Sequence, residues 1–530
     1  MSVIISSIKT SINSSEDEII SAALKKLGIN RSDVDVAGVY KTSLDARDNS
    51  NIKLVSSVWL EATEEIETNL CERFDNCSKV NIQDFEPEGF GQVKPDGRIV
   101  IIGFGPAGMF AALTLAEYGY RPLVIERGDC VDNRIKKVND FWNNGILDTE
   151  SNVQFGEGGA GTFSDGKLTT RIKDPLCRHI LKKFVEFGAP EEICTKAKPH
   201  IGTDKLRDIV RAIRERIVEL GGEIRFNSTV KDIIILNGKI KAVILNNNEE
   251  INTSAAIMAI GHSARDTFEM LLNKGIMLEA KPFSVGARIE HLQEDVNKSL
   301  YGKQYDNPIL PKGEYQLSLR KGERAVYTFC MCPGGFVVPA QSEGNSVVTN
   351  GMSEYSRNGK NANSALAVSV SPEDFGKNPL DGVEFARKIE KRAFALSGKN
   401  YSAPATTAAK LLTGSGNIKE SAIIPSYSLG VTECDFDELF PEFVTRMLKL
   451  GLYDFSKKMK CFGDKNAVLT APETRTSSPV RILRGEDIQS VSVKGLYPCG
   501  EGAGYAGGIM SAAVDGVKAA EKIIGLYKAG

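Results

Sequence analysis

Short apolar runs alternate with amphipathic segments along most of the chain, which is the pattern of a mixed α/β protein. The clearest unit begins at Arg98, where an apolar run up to Gly103 predicts a buried strand. Apolar residues at helical spacing follow from Pro106 to Tyr118, and a second apolar run over Leu123–Ile125 predicts the next strand. This segment therefore predicts a β-α-β unit.

The first 92 residues show a complete β-α-β-β-α-β pattern. The predicted strands are Val3–Ile8, Val34–Thr42, Ile52–Glu61 and Lys79–Gln83, and the predicted helices are Glu16–Leu27 and Thr63–Phe74. That order is typical of a small ferredoxin-like α+β domain, a fold that hosts many functions. The segment Pro87–Gly97, rich in proline and glycine, predicts a linker after this domain.

Beyond the β-α-β unit the chain continues with strands and helices, and its character changes near residue 276. Before that point we expect helices Asp204–Leu220 and Arg265–Leu272 and strands Glu223–Phe226, Thr229–Ile235, Lys239–Leu245 and Ala255–Ile260. After it we expect strands Phe283–Glu290, Glu314–Leu319, Ala325–Cys332, Gly335–Pro339, Ser346–Met352 and Ala365–Val370 and helices Val383–Leu396 and Phe436–Lys449. Residues from about 276 to 470 therefore form a predicted α+β insertion.

The turn of the β-α-β unit carries the motif G-x-G-x-x-G at Gly103, Gly105 and Gly108. The first glycine allows the tight turn, the second lets a pyrophosphate approach the backbone, and the third lets the helix pack against the strand. Free N–H groups at the start of that helix face the phosphates. Glu126 ends the second strand, where it can accept hydrogen bonds from ribose hydroxyls and disfavours the 2′-phosphate of NADP. FAD or NAD remains.

A second glycine-rich stretch, Asn152–Arg171, follows this unit. Its glycines indicate either backbone close to a bulky group or a loop with positive φ angles. Its position shortly after Glu126 favours a second contact with the cofactor over a merely flexible loop. The candidate binding residues in this half of the chain, besides the motif glycines and Glu126, are Pro106, Ala107, Arg127, Gly159, Gly161, Thr162, Ser164, Asp165, Lys167, Val230 and Gly261.

Composition and charge argue against several classes of protein. The chain is 42% apolar and 25% charged with a net charge of −2, so it offers no general attraction to nucleic acid. Residues 1–92 hold nine Lys and Arg against sixteen Asp and Glu, a net charge of −7 that disfavours RNA binding there. The ten cysteines form no C-x-x-C pair and the four histidines have no ligand spacing, so no metal site is expected. We find no signal-peptide pattern or membrane-spanning apolar run and expect a cytoplasmic protein.

The C-terminal stretch carries a second glycine motif, in which Gly500, Glu501 and Gly502 follow a strand and Gly507 and Gly508 open an alanine-rich helix. The candidate binding residues here are Gly500, Glu501, Gly508 and Ile509. This arrangement resembles the second FAD fingerprint of glutathione-reductase-type flavoproteins, with Glu501 in place of the usual Asp. In that family the acid binds a ribityl hydroxyl, and the helix N-terminus points at the flavin pyrimidine. The resemblance therefore implies FAD rather than NAD at the first motif.

The whole chain resembles one family, the predicted bacterial FAD-dependent dehydrogenases. The segments that carry this resemblance are LDAR at 44–47, GGAGTFSDGKL at 158–168, RIEH at 288–291, FCMCPGG at 329–335 and ETRTSSPVRILR at 473–484. The resemblance implies a Rossmann-like, glutathione-reductase-type FAD-binding domain over 93–275 and 471–530. An α+β cap over 276–470 interrupts this domain, and the ferredoxin-like domain over 1–92 precedes it.

The implied function is that of an FAD-dependent oxidoreductase acting on a small molecule under the cap. No second G-x-G-x-x-G follows a strand, so a separate nicotinamide domain is not expected, although NAD(P)H remains a candidate electron donor. The alternative is an FAD-dependent RNA-binding or tRNA-modifying flavoprotein, which the acidic N-terminal domain disfavours. That domain is instead a candidate surface for a partner.

A flavin carries the redox chemistry itself, so the sequence needs no catalytic triad. The catalytic candidates are Arg475, Arg481 and Lys167, since the two arginines can hold an anionic substrate group or stabilise negative charge on a reduced flavin. Cys330 and Cys332 are two residues apart in a predicted strand, near the upper distance limit for a disulfide, and we expect free buried thiols there.

Overall fold

The computed structural model describes residues 2–80 and 85–530. The first unit is an antiparallel sheet of four strands in the order β2–β3–β1–β4, covered by two helices. Its elements are β1 Ser2–Ser11, α1 Glu16–Leu27, β2 Val36–Asp45, β3 Lys53–Glu61, α2 Glu64–Arg73 and β4 Cys77–Val80. Helix α1 has the predicted bounds. The last predicted strand was Lys79–Gln83, of which residues 81–83 lie outside the described part.

This N-terminal unit contacts the following region through β2 and the loop after it. The backbone N–H of Thr42 donates to the carbonyl of Thr195 at 2.6 Å, and that of Ala197 donates back to Thr42 at 2.8 Å. The side chain of Gln304 also donates to the Asn49 carbonyl at 3.0 Å. The unit is therefore joined to the rest of the molecule by backbone hydrogen bonds as well as by the linker.

The second unit contains the β-α-β segment and the helices around it. Its elements are β5 Ile99–Ile102, α3 Pro106–Glu117, β6 Leu123–Ile125, α4 Val131–Asn144, α5 Leu176–Glu186, α6 Thr203–Glu219, β7 Glu223–Arg225, β8 Val230–Leu236, β9 Lys239–Leu245, β10 Glu250–Asn252, β11 Ala255–Met258 and α7 Arg265–Asn273. Strands β8, β9 and β10 form a separate antiparallel sheet. Helices α4 and α5 are additions to the elements expected from the sequence.

The third unit is built on a seven-stranded sheet in the order β14–β15–β18–β13–β21–β19–β20. Its elements are β12 Leu278–Ala280, β13 Phe283–Leu292, α8 Gln293–Tyr301, β14 Ser318–Lys321, β15 Arg324–Cys332, β16 Phe336–Pro339, β17 Thr349–Met352, β18 Asn361–Val370, α9 Pro372–Phe375, α10 Asp381–Leu396, β19 Ala403–Thr407, α11 Ala408–Thr413, β20 Val431–Glu433, α12 Phe436–Leu439, α13 Glu442–Lys458, β21 Val468–Glu473 and β22 Val480–Ile482. Strand β21 extends three residues beyond the expected boundary at 470.

Several expectations for this third unit differ from the structure. Strand β17 begins at Thr349 instead of Ser346, and β18 begins at Asn361 instead of Ala365. The segment Glu314–Leu319 was expected as a strand, but β14 begins only at Ser318. The helix expected over Phe436–Lys449 is divided into α12 and α13, with Pro441 at the start of α13. Proline has no backbone N–H and is tolerated at a helix start but not in its interior, so the division follows from that residue.

The chain returns to the second unit through β23 Leu496–Pro498 and ends in helix α14 Ile509–Leu526. Strand β23 completes a five-stranded parallel sheet in the order β23–β11–β5–β6–β7. Strand β12, where the chain leaves this unit, pairs antiparallel with β22, where it comes back. The two connections to the third unit therefore lie side by side.

Helix α3 approaches its neighbours unusually closely. A Cβ atom on Gly108 would overlap the carbonyl oxygen of Gly103, and one on Gly516 of α14 would overlap the carbonyl oxygen of Ala107. Gly108 brings α3 against the glycine turn after β5, and Gly516 brings α14 against α3. Within residues 2–80 and 85–530, six further short helical turns of the 3-10 type lie in the loops, including Gly159–Phe163. Across the described residues, no helix is long and apolar enough to span a bilayer.

The glycine-rich loop after α4 is held by a fully buried arginine of that helix. The guanidinium of Arg134 donates to the carbonyls of Asn152 at 2.9 Å, Val153 at 3.0 Å, Gly156 at 3.3 Å and Glu157 at 2.6 Å. Burial lowers the pKa of Arg134 to about 9. Since the loop offers four carbonyls at one point, only a long side chain with several donors can satisfy them.

We therefore expect Arg134→Met to destabilise the protein by about 3 kcal/mol, because it leaves buried carbonyls without donors. Urea unfolding measures the change. The matched control is Arg211→Met, which removes an exposed pair with Asp132 and Asp208 and should cost less than about 1 kcal/mol. Equal stabilities of the two variants would contradict the role given to Arg134.

Candidate functional site

A cavity of about 1430 Å³ lies between the carboxyl ends of the parallel strands and one face of the seven-stranded sheet. Its walls include Gly103–Ala107 after β5, Gly261–Ala264 after β11 and Tyr505–Ile509 before α14. The opposite wall includes Tyr327–Met331 of β15. Ligand pockets for small molecules usually fall in the range of roughly 300–1,000 Å³, so this cavity has room for a dinucleotide and a second molecule.

At one end of the cavity, α3 begins without a side-chain cap. Its N-cap residue is Gly105, and Pro106 occupies the first helical position. A Cβ atom on Gly105 would find one neighbour beyond its adjacent residues within 4 Å, the Cα of Gly159 at 3.7 Å. The first turn therefore exposes its backbone donors to the cavity, where the helix dipole favours an anion.

Glu126 lies next to this helix start, is buried, and binds three different backbone segments. Its carboxylate accepts hydrogen bonds from the N–H groups of Phe104 at 2.7 Å, Gly128 at 2.9 Å and Gly156 at 2.9 Å. A carboxylate has about four acceptor positions, so one remains for a ligand. Glu126 thus joins the first glycine turn to the second glycine-rich loop and also lines the cavity.

At the other end of the cavity, Glu501 precedes helix α14. Its carboxylate accepts from the N–H of Gly508 at 3.2 Å. Burial raises the pKa of Glu501 to about 7, against the opposing effects of the Gly508 N–H and the charge of Lys281. Helix α14 has no side-chain cap, and a Cβ atom on Gly508 would meet open space. A second helix N-terminus therefore opens into the same cavity.

His262 and Lys281 surround Glu501. The Nε2 atom of His262 is 3.9 Å from a Glu501 carboxylate oxygen. Burial and the nearby charges of Arg475 and Arg265 lower the pKa of His262 to about 3, so its imidazole is neutral at physiological pH. Of these groups, the ammonium of Lys281 is the one whose positive charge favours the ionised form of Glu501.

Arg475 lines the cavity beside this end but is bound to a buried acid of α10. Its guanidinium donates to both carboxylate oxygens of Glu390 at 3.2 Å and to the Ser342 hydroxyl at 3.0 Å. Arg265 shares the same carboxylate at 2.7 Å. Burial opposes ionisation of Glu390, yet the two arginines lower its pKa to about 2. Arg265 also pairs with Glu343 at 2.8 Å, so two carboxylates lie beside the two guanidinium groups, and of this cluster Arg475 lines the cavity.

Asp165, Lys167 and Arg357 form a second buried charge cluster on the cavity wall. Asp165 is fully buried and pairs with Lys167 at 2.7 Å and with Arg357 at 2.6 Å. Lys167 also donates to the carbonyl of Met331. Although burial opposes it, Asp165 raises the pKa of Lys167. The cluster links the second glycine-rich loop to β15 of the opposite sheet.

Most residues selected from the sequence line this one cavity. They are Gly103, Gly105, Pro106, Ala107, Glu126, Arg127, Gly159, Gly161, Ser164, Asp165, Lys167, Val230, Gly261, Arg475, Glu501, Gly508 and Ile509. The arginine at position 127 is held by Asp266 at 2.9 Å and lies over the Phe155 ring at 4.4 Å.

Four selected residues lie behind the cavity wall or outside it. Gly108 and Gly500 pack α3 against its neighbours, since a Cβ on Gly500 would meet the Cβ of Ala107 at 2.7 Å. The hydroxyl of Thr162 donates to the Glu157 carbonyl at 3.2 Å within the loop. Arg481, a catalytic candidate from the sequence, pairs with Glu279 of β12 at 3.1 Å, is half-exposed and does not line the cavity.

The sequence reasoning missed several lining residues from the third unit. Tyr327, Phe329, Met331 and Arg357 line the cavity, as does Lys281 just before β13. The segment FCMCPGG pointed to part of this set, but its position in the fold was not predictable from local patterns. Lys281 and Arg357 have no local motif and depend entirely on the packing of the two sheets.

Known proteins share sequence similarity with this chain over part or all of its length. Residues 282–476 match the family model described as FAD-dependent protein, C-terminal domain-like, and residues 1–60 match a domain of unknown function, DUF8436. The chain is 46% identical over 529 residues to an uncharacterized protein of Clostridium beijerinckii, and the match covers 99% of both chains.

Similar solved structures include a geranylgeranyl bacteriochlorophyll reductase-like protein from Thermoplasma acidophilum, with 12% identity, 82% of this chain and 79% of that chain covered, and a TM-score of 0.34. A glycine oxidase from Bacillus cereus shows 12% identity over 81% of this chain and 94% of that chain, with a TM-score of 0.30. On the family match and the full-length relative, the chain belongs to the family of FAD-dependent proteins that carry this C-terminal domain.

Proposed function

We propose that the protein is an FAD-dependent oxidoreductase whose third unit is a cap that presents a small-molecule substrate to the flavin. The observation that carries this proposal is a single cavity with an uncapped helix N-terminus and a buried acid at each end. Within the proposal, the five-stranded sheet belongs to a glutathione-reductase-type FAD domain and the N-terminal unit is ferredoxin-like. When bound, FAD supplies two-electron redox chemistry.

The residues at the first end fit the adenosine diphosphate half of this cofactor. The free N–H groups of α3 would hold the diphosphate, because anions bind favourably at helix N-termini. Gly105 carries no side chain that would block a phosphate from the backbone. The remaining acceptor position of Glu126 would take a ribose hydroxyl, and Arg127 and Val230 would border the adenosine.

The residues at the second end fit the flavin half. In its ionised form, Glu501 would accept a hydrogen bond from a ribityl hydroxyl. The N-terminus of α14, with Lys281 and Arg475 on the same cavity wall, would stabilise negative charge that develops on reduction. Arg475 acts here through its fixed charge, because Glu390 and Ser342 already hold its guanidinium.

The cap supplies the remaining wall and the substrate pocket in this proposal. Tyr327 and Phe329 of β15 offer aromatic surface, and Lys167 holds a positive charge close to them. Aromatic rings and a lysine on the same cavity wall suit a substrate with an apolar part and an anionic group. We propose NAD(P)H as the electron donor that reduces the flavin. It would enter the same cavity from the open side.

The first test is Gly105→Ala, which adds a methyl group where the diphosphate is expected. Within the protein its nearest neighbour would be at ordinary contact distance, so the melting temperature of the FAD-free protein should not change. FAD affinity should fall at least about tenfold, roughly 1.4 kcal/mol, as measured by fluorescence titration.

The matched control is Gly525→Ala near the end of α14, where a Cβ would also meet open space. This variant should bind FAD like the parent. If Gly105→Ala retains full FAD affinity, the diphosphate does not lie at the start of α3. A parent protein that cannot bind FAD at all would overturn the proposed function.

A pH dependence follows from the buried carboxyl of Glu501. Its pKa is about 7 in the folded protein against an ordinary 4.5, so between these values the folded chain binds a proton that the unfolded chain releases. The stability of the FAD-free protein therefore loses this contribution as pH rises through the window. Glu501→Gln removes this pH-dependent loss of stability, because a glutamine side chain does not ionise.

We expect the melting temperature of the Gln variant, relative to the parent, to increase from about pH 5 to about pH 7 and to level off above that range, where Glu501 is ionised in both folded and unfolded parent. Differential scanning fluorimetry of both proteins without FAD measures the difference, and all other titrations cancel between them. A difference that does not depend on pH would show that Glu501 ionises normally.

A further inference from the structure

Two cysteines of the cap lie in an irregular part of β15 at the cavity wall. Between Phe329 and Cys332 the pairing of β15 with β18 shifts register, so one extra residue is accommodated there. Cys330 has a φ angle of 44°, which is rare for a residue other than glycine. A bulge bends the strand and redirects side chains, and backbone strain of this kind concentrates at functional positions.

The bulge brings the two thiols together. The Cys332 thiol donates to the backbone carbonyl of Cys330 at 3.4 Å, and the two side chains are close enough for each thiol to shift the pKa of the other. In a regular strand, residues two apart have Cα atoms roughly 6.5–7 Å from each other, near the limit for a disulfide. The positive φ at Cys330 removes that regular geometry, so the sequence-based objection to a pair no longer applies.

A fully buried arginine and a partly exposed lysine hold this turn. The Arg288 guanidinium donates to the Cys330 carbonyl at 2.8 Å and pairs with Glu473 at 2.9 Å. Lys167 donates to the carbonyl of Met331, the residue between the two cysteines. The hydrogen bond from Cys332, together with the charges of Arg288 and Lys167, holds the pKa of Cys330 well below its usual range. Thiolates, not thiols, carry out disulfide chemistry.

The two cysteines differ in access. Cys330 lines the cavity and is near enough to Glu501 to interact with its carboxyl electrostatically, whereas Cys332 is fully buried behind it. Glu501 marks the end of the cavity assigned above to the flavin. An accessible cysteine with a buried partner is the usual arrangement of a reactive and a resolving thiol.

We propose that Cys330 and Cys332 form a dithiol–disulfide couple that exchanges two electrons with the flavin held in the cavity. This inference rests on the proposed function, since it takes the flavin as the redox partner. On oxidation a Sγ–Sγ bond forms between the Cys330 thiolate and the Cys332 thiol. Two electrons and the Cys332 proton pass to an oxidised isoalloxazine, which becomes its reduced anion. The reverse reaction breaks the bond and restores thiolate and thiol.

The first experiment reads the cysteines directly in the purified full-length protein. Samples are equilibrated in glutathione buffers of graded redox poise, quenched in acid, alkylated with iodoacetamide and analysed by peptide mass spectrometry. We expect the peptide containing both cysteines to carry two alkyl groups at reducing poise. At oxidising poise the peptide should carry no alkyl group, and its mass should be lower than that of the unalkylated dithiol peptide by two hydrogen atoms. Cys330→Ser and Cys332→Ser should each leave a thiol that is alkylated at every poise.

The second experiment counts electrons. In an anaerobic dithionite titration, the parent should take up four electrons per bound flavin and each serine variant two, because the disulfide is a two-electron couple. The matched control Cys461→Ser, which removes a buried cysteine of the cap, should again take up four electrons.

An uptake of two electrons by the parent would overturn the exchange with flavin, and alkylation of both thiols at every poise would overturn the couple itself. Failure to bind FAD would overturn the proposed function instead, while the alkylation pattern would still report on the thiols.

Discussion

The buried carboxylate of Glu126 is the interaction on which the geometry of the cavity depends. It accepts hydrogen bonds from Phe104, Gly128 and Gly156, which belong to three separate backbone segments. A buried acid without donors would be costly, so the three segments must stay in register around it. Arg134 completes the arrangement from the other side, because it holds the carbonyls of the loop whose N–H group Glu126 binds. Together they keep Gly105 and Gly159 in contact at the start of α3.

The third unit is fixed to this framework by buried charges rather than by apolar packing alone. Asp165 in the second glycine-rich loop binds Arg357 of the third unit, and Arg265 of α7 binds Glu390 of α10. Separating the two units would cost free energy, because it would break buried ion pairs. These pairs therefore hold the third unit at a defined distance from the carboxyl ends of the parallel strands.

Local patterns predicted the elements whose reasons are local. Strand β6 and helix α1 have the expected bounds, and the turn at Gly103–Gly108 is where its motif put it. Longer-range features escaped prediction. The position of Arg481 outside the cavity depends on the pairing of β12 with β22, and Lys281 and Arg357 join the wall only because two sheets face each other. The bulge at Cys330 is set by pairing with β18, which no spacing of residues in β15 could reveal.

In the proposed function, one extended FAD molecule reaches from the start of α3 to the start of α14. The most direct measurement is an experimental structure of the protein crystallised with FAD. We predict the diphosphate at the first turn of α3, a ribose hydroxyl on Glu126 and the isoalloxazine between Glu501 and Cys330. FAD in the opposite orientation, or a cavity that excludes FAD while the protein remains folded, would contradict the account.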